Sequence, residues 1–148
     1  MQTFLPLASF ATSARVLDRQ RLGKQRVEVL QLLRALSGES LGWRAHPAVR
    51  MWRGAELGLV HYGLAVCGEW VGRGYADTCT AKIRQFEQVF AGSWNVPPWL
   101  GDESFHLSHR SNLLRKAPEW YRQWWPEDPA DLPYVWPAGV AVLRASWA

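Results

Sequence analysis

The stretch from residue 47 to residue 73 carries apolar side chains on nearly every side of a helical wheel: Val49, Trp52, Leu59, Val60, Leu64, Val66, Trp70 and Val71. A helix that is apolar all round must be covered all round, which puts it at the centre of a bundle. Pro47 suits a first helical position, where a backbone N–H is not needed, and Gly72 and Gly74 close the segment. The rest of the chain supplies the cover. Residues 12–36 read as a first helix, with Thr12 or Ser13 as N-cap and Ser37-Gly38 as its stop. Residues 78–90 read as a third helix and 102–116 as a fourth, with Asp102 and Glu103 near its positive end. Pro118 precedes a further helical turn over 119–125. Residues 1–9 form an extended arm, 39–46 a loop, and Pro126, Pro129, Pro133 and Pro137 impose an irregular tail. Only 139–143 has strand character. The expectation is an all-α single domain spanning 1–148: about four helices, an extended N-terminal arm and a Pro/Trp-rich C-terminal wrap.

Charge narrows the choice of partner. The formal net charge is +4 and the isoelectric point about 9.4. Between residues 12 and 53 stand nine basic residues (Arg15, Arg19, Arg21, Lys24, Arg26, Arg34, Arg44, Arg50 and Arg53) against Asp18, Glu28 and Glu39. The remainder is net acidic. Such concentration suits a phosphate-rich partner. Ten tryptophans are more than one core of this size needs, so some are expected to line a groove. Two cysteines make no disulfide framework, and no Cys/His group has zinc spacing, so no metal is expected. Residues 1–10 lack a signal-peptide pattern, and no apolar run is long enough to span a membrane. A cytoplasmic monomer is the expectation.

One stripe of the first helix runs Arg15, Arg19, Leu22, Arg26 and then Val29, Leu30, Leu33, Leu36. Its C-terminal half is a core seam, and its N-terminal half turns the same face over to guanidinium groups, which fit phosphate oxygens. Gly23 sits mid-helix at about 1 kcal/mol relative to alanine, which implies close approach of another backbone. The alternative is a solvated helix whose arginines pair with Asp18 and Glu28.

The segment Leu17-Asp18-Arg19-Gln20-Arg21-Leu22-Gly23-Lys24-Gln25-Arg26 resembles the basic first helix of the phage-type endonuclease V family, the pyrimidine-dimer DNA glycosylases with abasic-site lyase activity. His46-Pro47, Arg73-Gly74-Tyr75 and Arg115-Lys116-Ala117-Pro118-Glu119-Trp120-Tyr121 follow in family order. The resemblance implies an all-helical fold and an amine that attacks the sugar C1′, displaces the damaged base and forms an imine. Beta-elimination then breaks the strand without a cofactor. The family's amine is the N-terminal α-amine, a class with a reference pKa of about 8 against about 10.4 for lysine. Gln2 ordinarily leaves the initiator in place, so Met1 ranks first as nucleophile. Lys24 ranks second, because the like charges of Arg21 and Arg26 favour a neutral amine. The family's Arg-Glu-x-x-Arg run has no direct counterpart; Glu28 and Asp18 are the nearest carboxylates for proton transfer.

The resemblance and the charge pattern together nominate Arg15, Arg19, Arg21, Arg26, His106, His109, Arg110, Lys116, Trp120 and Tyr121 as contacts to double-stranded damaged or modified DNA. His106 and His109, one turn apart, lack a well-spaced third metal ligand. Trp120, Tyr121, Trp124 and Trp125 between Lys116 and Arg122 suit base stacking, while Trp136 reads as a packing clasp. Two rival readings are a DNA-binding module of the same fold without chemistry, and a Trp-rich protein-interaction domain.

Overall fold

In the computed structural model, which describes residues 1–140, α4 (Glu56–Gly72) is the axis that its sequence requires. Its Leu59, Val60, Tyr62, Val66 and Cys67 are buried. Two helices, α1 (Phe10–Val16) and α2 (Arg19–Ser37), pack on it from one side and α5 (Thr80–Arg84) from another. Gly63 lets α2 and α5 pack close on α4, since a Cβ there would stand 2.7 Å from Val29 and 3.2 Å from Ile83. α3 (Pro47–Trp52), α6 (Phe86–Val89), α7 (Glu103–Lys116) and α8 (Pro118–Tyr121) complete an all-helical chain, with no strand among the described residues.

Three of the expected helices are broken, each for a visible reason. Residues 12–36 form two helices, because Leu17 and Asp18 are extended. The freed carbonyls are taken up from far along the chain. Arg73 Nη2 donates to the carbonyls of Arg15 (2.9 Å) and Leu17 (2.8 Å), and Trp120 Nε1 donates to that of Val16 (2.8 Å). Tyr121 donates its hydroxyl proton to the Asp18 carboxylate and accepts from the Asp18 N–H at 3.1 Å. Residues 47–73 break at Arg53-Gly54-Ala55, where Gly54 takes φ 87° and its carbonyl accepts from Trp94. Residues 78–90 bend at Gln85 into α5 and α6. The fourth helix begins as expected on Asp102, whose carboxylate accepts from the Ser104 N–H. The 119–125 turn stops at Tyr121. Of the candidate strand 139–143, residues 141 onward lie outside the described residues; the Val140 N–H donates to the Arg53 carbonyl, and 139–140 is not a strand.

The N-terminal arm runs through the interior of the bundle. Gln2 to Pro6 are buried, threaded between α2, α3, α4 and α7. Its extended backbone has no strand partner, so side chains meet its polar groups. Phe4 N–H donates to Gln25 Oε1 (2.6 Å), Tyr62 donates to the Phe4 carbonyl (2.5 Å), and Leu5 N–H donates to His109 Nδ1 (3.0 Å). Trp52 Nε1 donates to Thr3 Oγ1 at 3.0 Å. Buried backbone groups must be paired somewhere, and here α2, α4 and α7 share the work.

Candidate active site at the N-terminus

The arm ends in a pocket of about 230 Å³, lined by Met1, Gln2, Phe4, Gln20, Arg21, Lys24, Gln25, Glu28 and Lys116. Met1 is half-buried at its wall. Glu28 Oε2 accepts from the Gln2 N–H at 3.0 Å, so this carboxylate sits one residue from the chain's amine. Lys24 Nζ stands 3.6 Å from Glu28 Oε1, its side chain 75% exposed. Arg21 reaches Asp18 at 3.3 Å and still lines the pocket. Lys116 enters from α7. Its Nζ lies 5.3 Å from the Phe4 ring centre and 3.3 Å from the Tyr134 hydroxyl. Partial burial, then the charges of Arg21 and Arg115, hold the Lys116 amine below the ordinary lysine value, against the pull of Glu28.

Gln25 makes the arrangement possible. Its amide is buried and used at both ends. Oε1 accepts from the Phe4 N–H and lies 2.9 Å from the Tyr62 hydroxyl, whose one proton goes to the Phe4 carbonyl, and Nε2 donates to the Gln2 carbonyl (2.6 Å) and towards Glu28 Oε2 (3.4 Å). Bonding residues 2 and 4 of an extended chain copies what a neighbouring strand's peptide group does. One side chain thus fixes the register of the arm and steadies the carboxylate. The sequence did hold a signal for it. Leu22, Gln25, Val29, Leu32 and Leu36 are the buried line of α2, so Gln25 is a polar residue at a core position. The stripe read through Arg26 instead, which is also at allowed spacing, passed it by.

Several nominated DNA contacts lie elsewhere. His106 and His109 are buried: His106 Nδ1 meets the Leu5 carbonyl (2.7 Å), its Nε2 accepts from Gly101 N–H (2.9 Å), and His109 holds the Leu5 N–H. Burial, then the nearby His106, lowers the His109 pKa to about 3, so it is a neutral acceptor. Arg110 is enclosed by Glu103 (2.5 Å), Asp128 (2.8 Å) and the Pro6 carbonyl (2.9 Å). Tyr121 is fully buried at the α1–α2 break, and Trp120, 36% exposed, is tied to Val16. His106, His109, Arg110 and Tyr121 are corrected from surface contacts to fasteners, because the arm and the helix break present polar groups that they reach, whereas the Trp120 ring stays exposed. Arg26 is also occupied. It lies 4.4 Å from the Trp70 ring centre, pairs with Asp77 at 2.5 Å and donates to the Gly23 carbonyl. Burial would raise the Asp77 pKa, but hydrogen bonds from Thr80 and Arg26 outweigh it and hold it down to about 2. Gly23 is explained by a side chain rather than a backbone: a Cβ there would stand 2.9 Å from the Trp70 ring. Arg15 and Arg19 are exposed, Arg19 lying 5.2 Å from the Tyr75 ring centre. Asp18 is committed to Tyr121 and Arg21, which leaves Glu28, bonded to the Gln2 N–H, as the carboxylate of the pocket.

The family model described as pyrimidine dimer DNA glycosylase matches residues 1–83, from the arm through α5. The chain belongs to the pyrimidine dimer DNA glycosylase family. No curated protein and no solved structure gives a match. The matched part of this family member contains Met1, Gln25, Glu28 and the central α4, and the pocket's Lys116 lies beyond it, on α7. Among the described residues no group of three His, Cys, Asp or Glu could hold a metal ion, and no helix is long and apolar enough to cross a membrane.

Proposed function

We propose that this chain is a DNA glycosylase with coupled abasic-site lyase activity, acting on a damaged or modified base in duplex DNA, with the Met1 amine as nucleophile. The observation that carries the reading is the Gln2 N–H on the Glu28 carboxylate, inside a pocket that Met1 lines and three cations rim. In the reaction the neutral amine forms a bond to C1′, and the glycosidic bond breaks, its electron pair leaving with the base, which takes up a proton. Loss of the amine proton and opening of the sugar ring give the imine. Removal of a C2′ proton then expels the 3′ phosphate, and water releases the amine. Glu28 is the group for these proton transfers. Arg21, Lys24 and Lys116 are the cations for phosphates beside the pocket. Lys24, exposed and paired with Glu28, serves the carboxylate better than it serves as a second nucleophile.

Borohydride reduction of the protein with an abasic-site duplex tests this. The expected result is a covalent adduct that maps to Met1 and is lost when the α-amine is acylated. No adduct on any damaged or abasic duplex, with salt-sensitive binding intact, would leave a binding module instead.

A further inference from the structure

A row of aromatic rings begins next to the pocket's Lys116. It starts at Tyr134, whose hydroxyl is 3.3 Å from Lys116 Nζ. Trp136 follows at 5.6 Å between ring centres, His46 at 6.1 Å from Trp136, and Trp43 at 5.7 Å from His46. The contacts are tilted or edge-on, at 52°, 83° and 70°, so no two rings of the row lie face to face. Trp43 is 44% exposed and Trp136 39%. Neither indole N–H has a hydrogen-bond partner among the described residues, whereas those of Trp52, Trp70, Trp99 and Trp120 do. The row is held from beneath: His46 Nδ1 accepts the Ala48 N–H at the head of α3, which fixes the central ring. Burial, then the charge of the N-terminal amine, lowers the His46 pKa, against the pull of Glu28. Arg44 and Arg50 flank it, exposed and without an ion pair among the described residues.

We propose that Trp43, His46, Trp136 and Tyr134 form a stacking surface for DNA bases displaced beside the pocket, with Arg44 and Arg50 on the adjoining phosphates. The inference rests on the glycosylase reading and extends it. An amine that must reach C1′ needs a nucleotide taken out of its stack, and an aromatic row is a place for unstacked bases because every base has a π-face. Free guanidinium groups beside exposed indoles favour nucleic acid over an apolar protein partner.

Photo-cross-linking tests the contact directly. A duplex with a tetrahydrofuran abasic analogue flanked by 5-iodouracil is irradiated with the protein, and adducts are mapped by mass spectrometry. Cross-links at Trp43 or Trp136 are expected. The double variant Trp43→Ala/Trp136→Ala is expected to bind this duplex about tenfold or more weakly, the order of one lost stacking contact, with its affinity for undamaged duplex unchanged. If that variant fails to fold, Trp43→Leu and Trp136→Leu keep apolar bulk without a stacking face. Cross-links only elsewhere, together with wild-type affinity in the variants, overturn the inference, give the indoles to a protein partner and leave the glycosylase reading standing. Absence of wild-type DNA binding at low salt overturns the glycosylase reading, and this inference with it.

Discussion

Two flanks of α2 carry similar residues and put them to opposite use. On one flank Arg21, Lys24 and Glu28 open into the pocket that receives Met1. On the other, Arg26 is closed in by Asp77, Trp70 and the Gly23 carbonyl, and Trp70 is itself pinned by Tyr75, 4.3 Å away, and by the Ala76 carbonyl. A basic residue on a stripe is therefore not yet a phosphate ligand. What matters is whether an internal partner already holds it, since a partnered guanidinium must break those bonds before it can make new ones.

The contrast can be broken most sharply at Glu28. Glu28→Gln is isosteric and can still accept from Gln2, so the fold should hold while imine trapping falls about 10²–10⁴-fold, the usual share of a general acid or base. Trapping at the wild-type rate would remove Glu28 from the chemistry.

Next comes the amide that joins arm to pocket. Gln25→Ala leaves the Phe4 N–H and the Gln2 carbonyl short of partners, each worth about 1–3 kcal/mol when buried and unpaired. A clear drop in the denaturant midpoint is expected. Gln25→Glu is expected to keep more stability yet trap poorly, because it sets a second carboxylate against the Gln2 carbonyl and Glu28.

On the closed flank, Gly23→Ala reverses a familiar sign. In an open helix it gains about 1 kcal/mol. Here the added Cβ meets a pinned indole, and a loss of about 1–3 kcal/mol from overpacking is expected in denaturant melts. Stabilisation would mean that Trp70 moves freely and the flank is not closed.

Acid should loosen the arm through His109. With a folded pKa near 3 against an ordinary 6.5, the unfolded chain takes up a proton that the folded one refuses. The stability this neutral histidine contributes is present in full above pH 6.5 and is lost as pH falls towards 3, by up to about 1.4 kcal/mol per pH unit. His109→Asn, which offers an oxygen to Leu5, should flatten that slope by about one proton, read from urea midpoints between pH 7 and 4.

The smallest effect separates the two flanks by salt. Lys116→Ala should lower the slope of log affinity against log salt by about one, as for one lost phosphate contact. Arg26→Ala should leave the slope alone and reduce stability instead. Equal effects on the slope would erase the distinction between the flanks.

Much of this was legible in the residues. An apolar run of helical length has one place to go, so the all-helical bundle and its axis followed from periodicity. Local chemistry also settled the Asp102 cap and the stop at Gly38, which takes φ 87°. The family order of motifs pointed to the N-terminus and to α2. The breaks at Leu17-Asp18 and Arg53-Gly54 were not legible. They depend on Arg73, Trp120, Tyr121 and Trp94 arriving from up to about a hundred residues away to take the freed groups. Burial of the arm, the neutral state of His109 and the double use of Gln25 have the same origin. Sequence determines which groups must be buried or satisfied, because hydrophobicity and hydrogen-bonding capacity belong to each residue. Which partner satisfies them, and so which charges remain free to meet DNA, is decided only when distant segments are brought together.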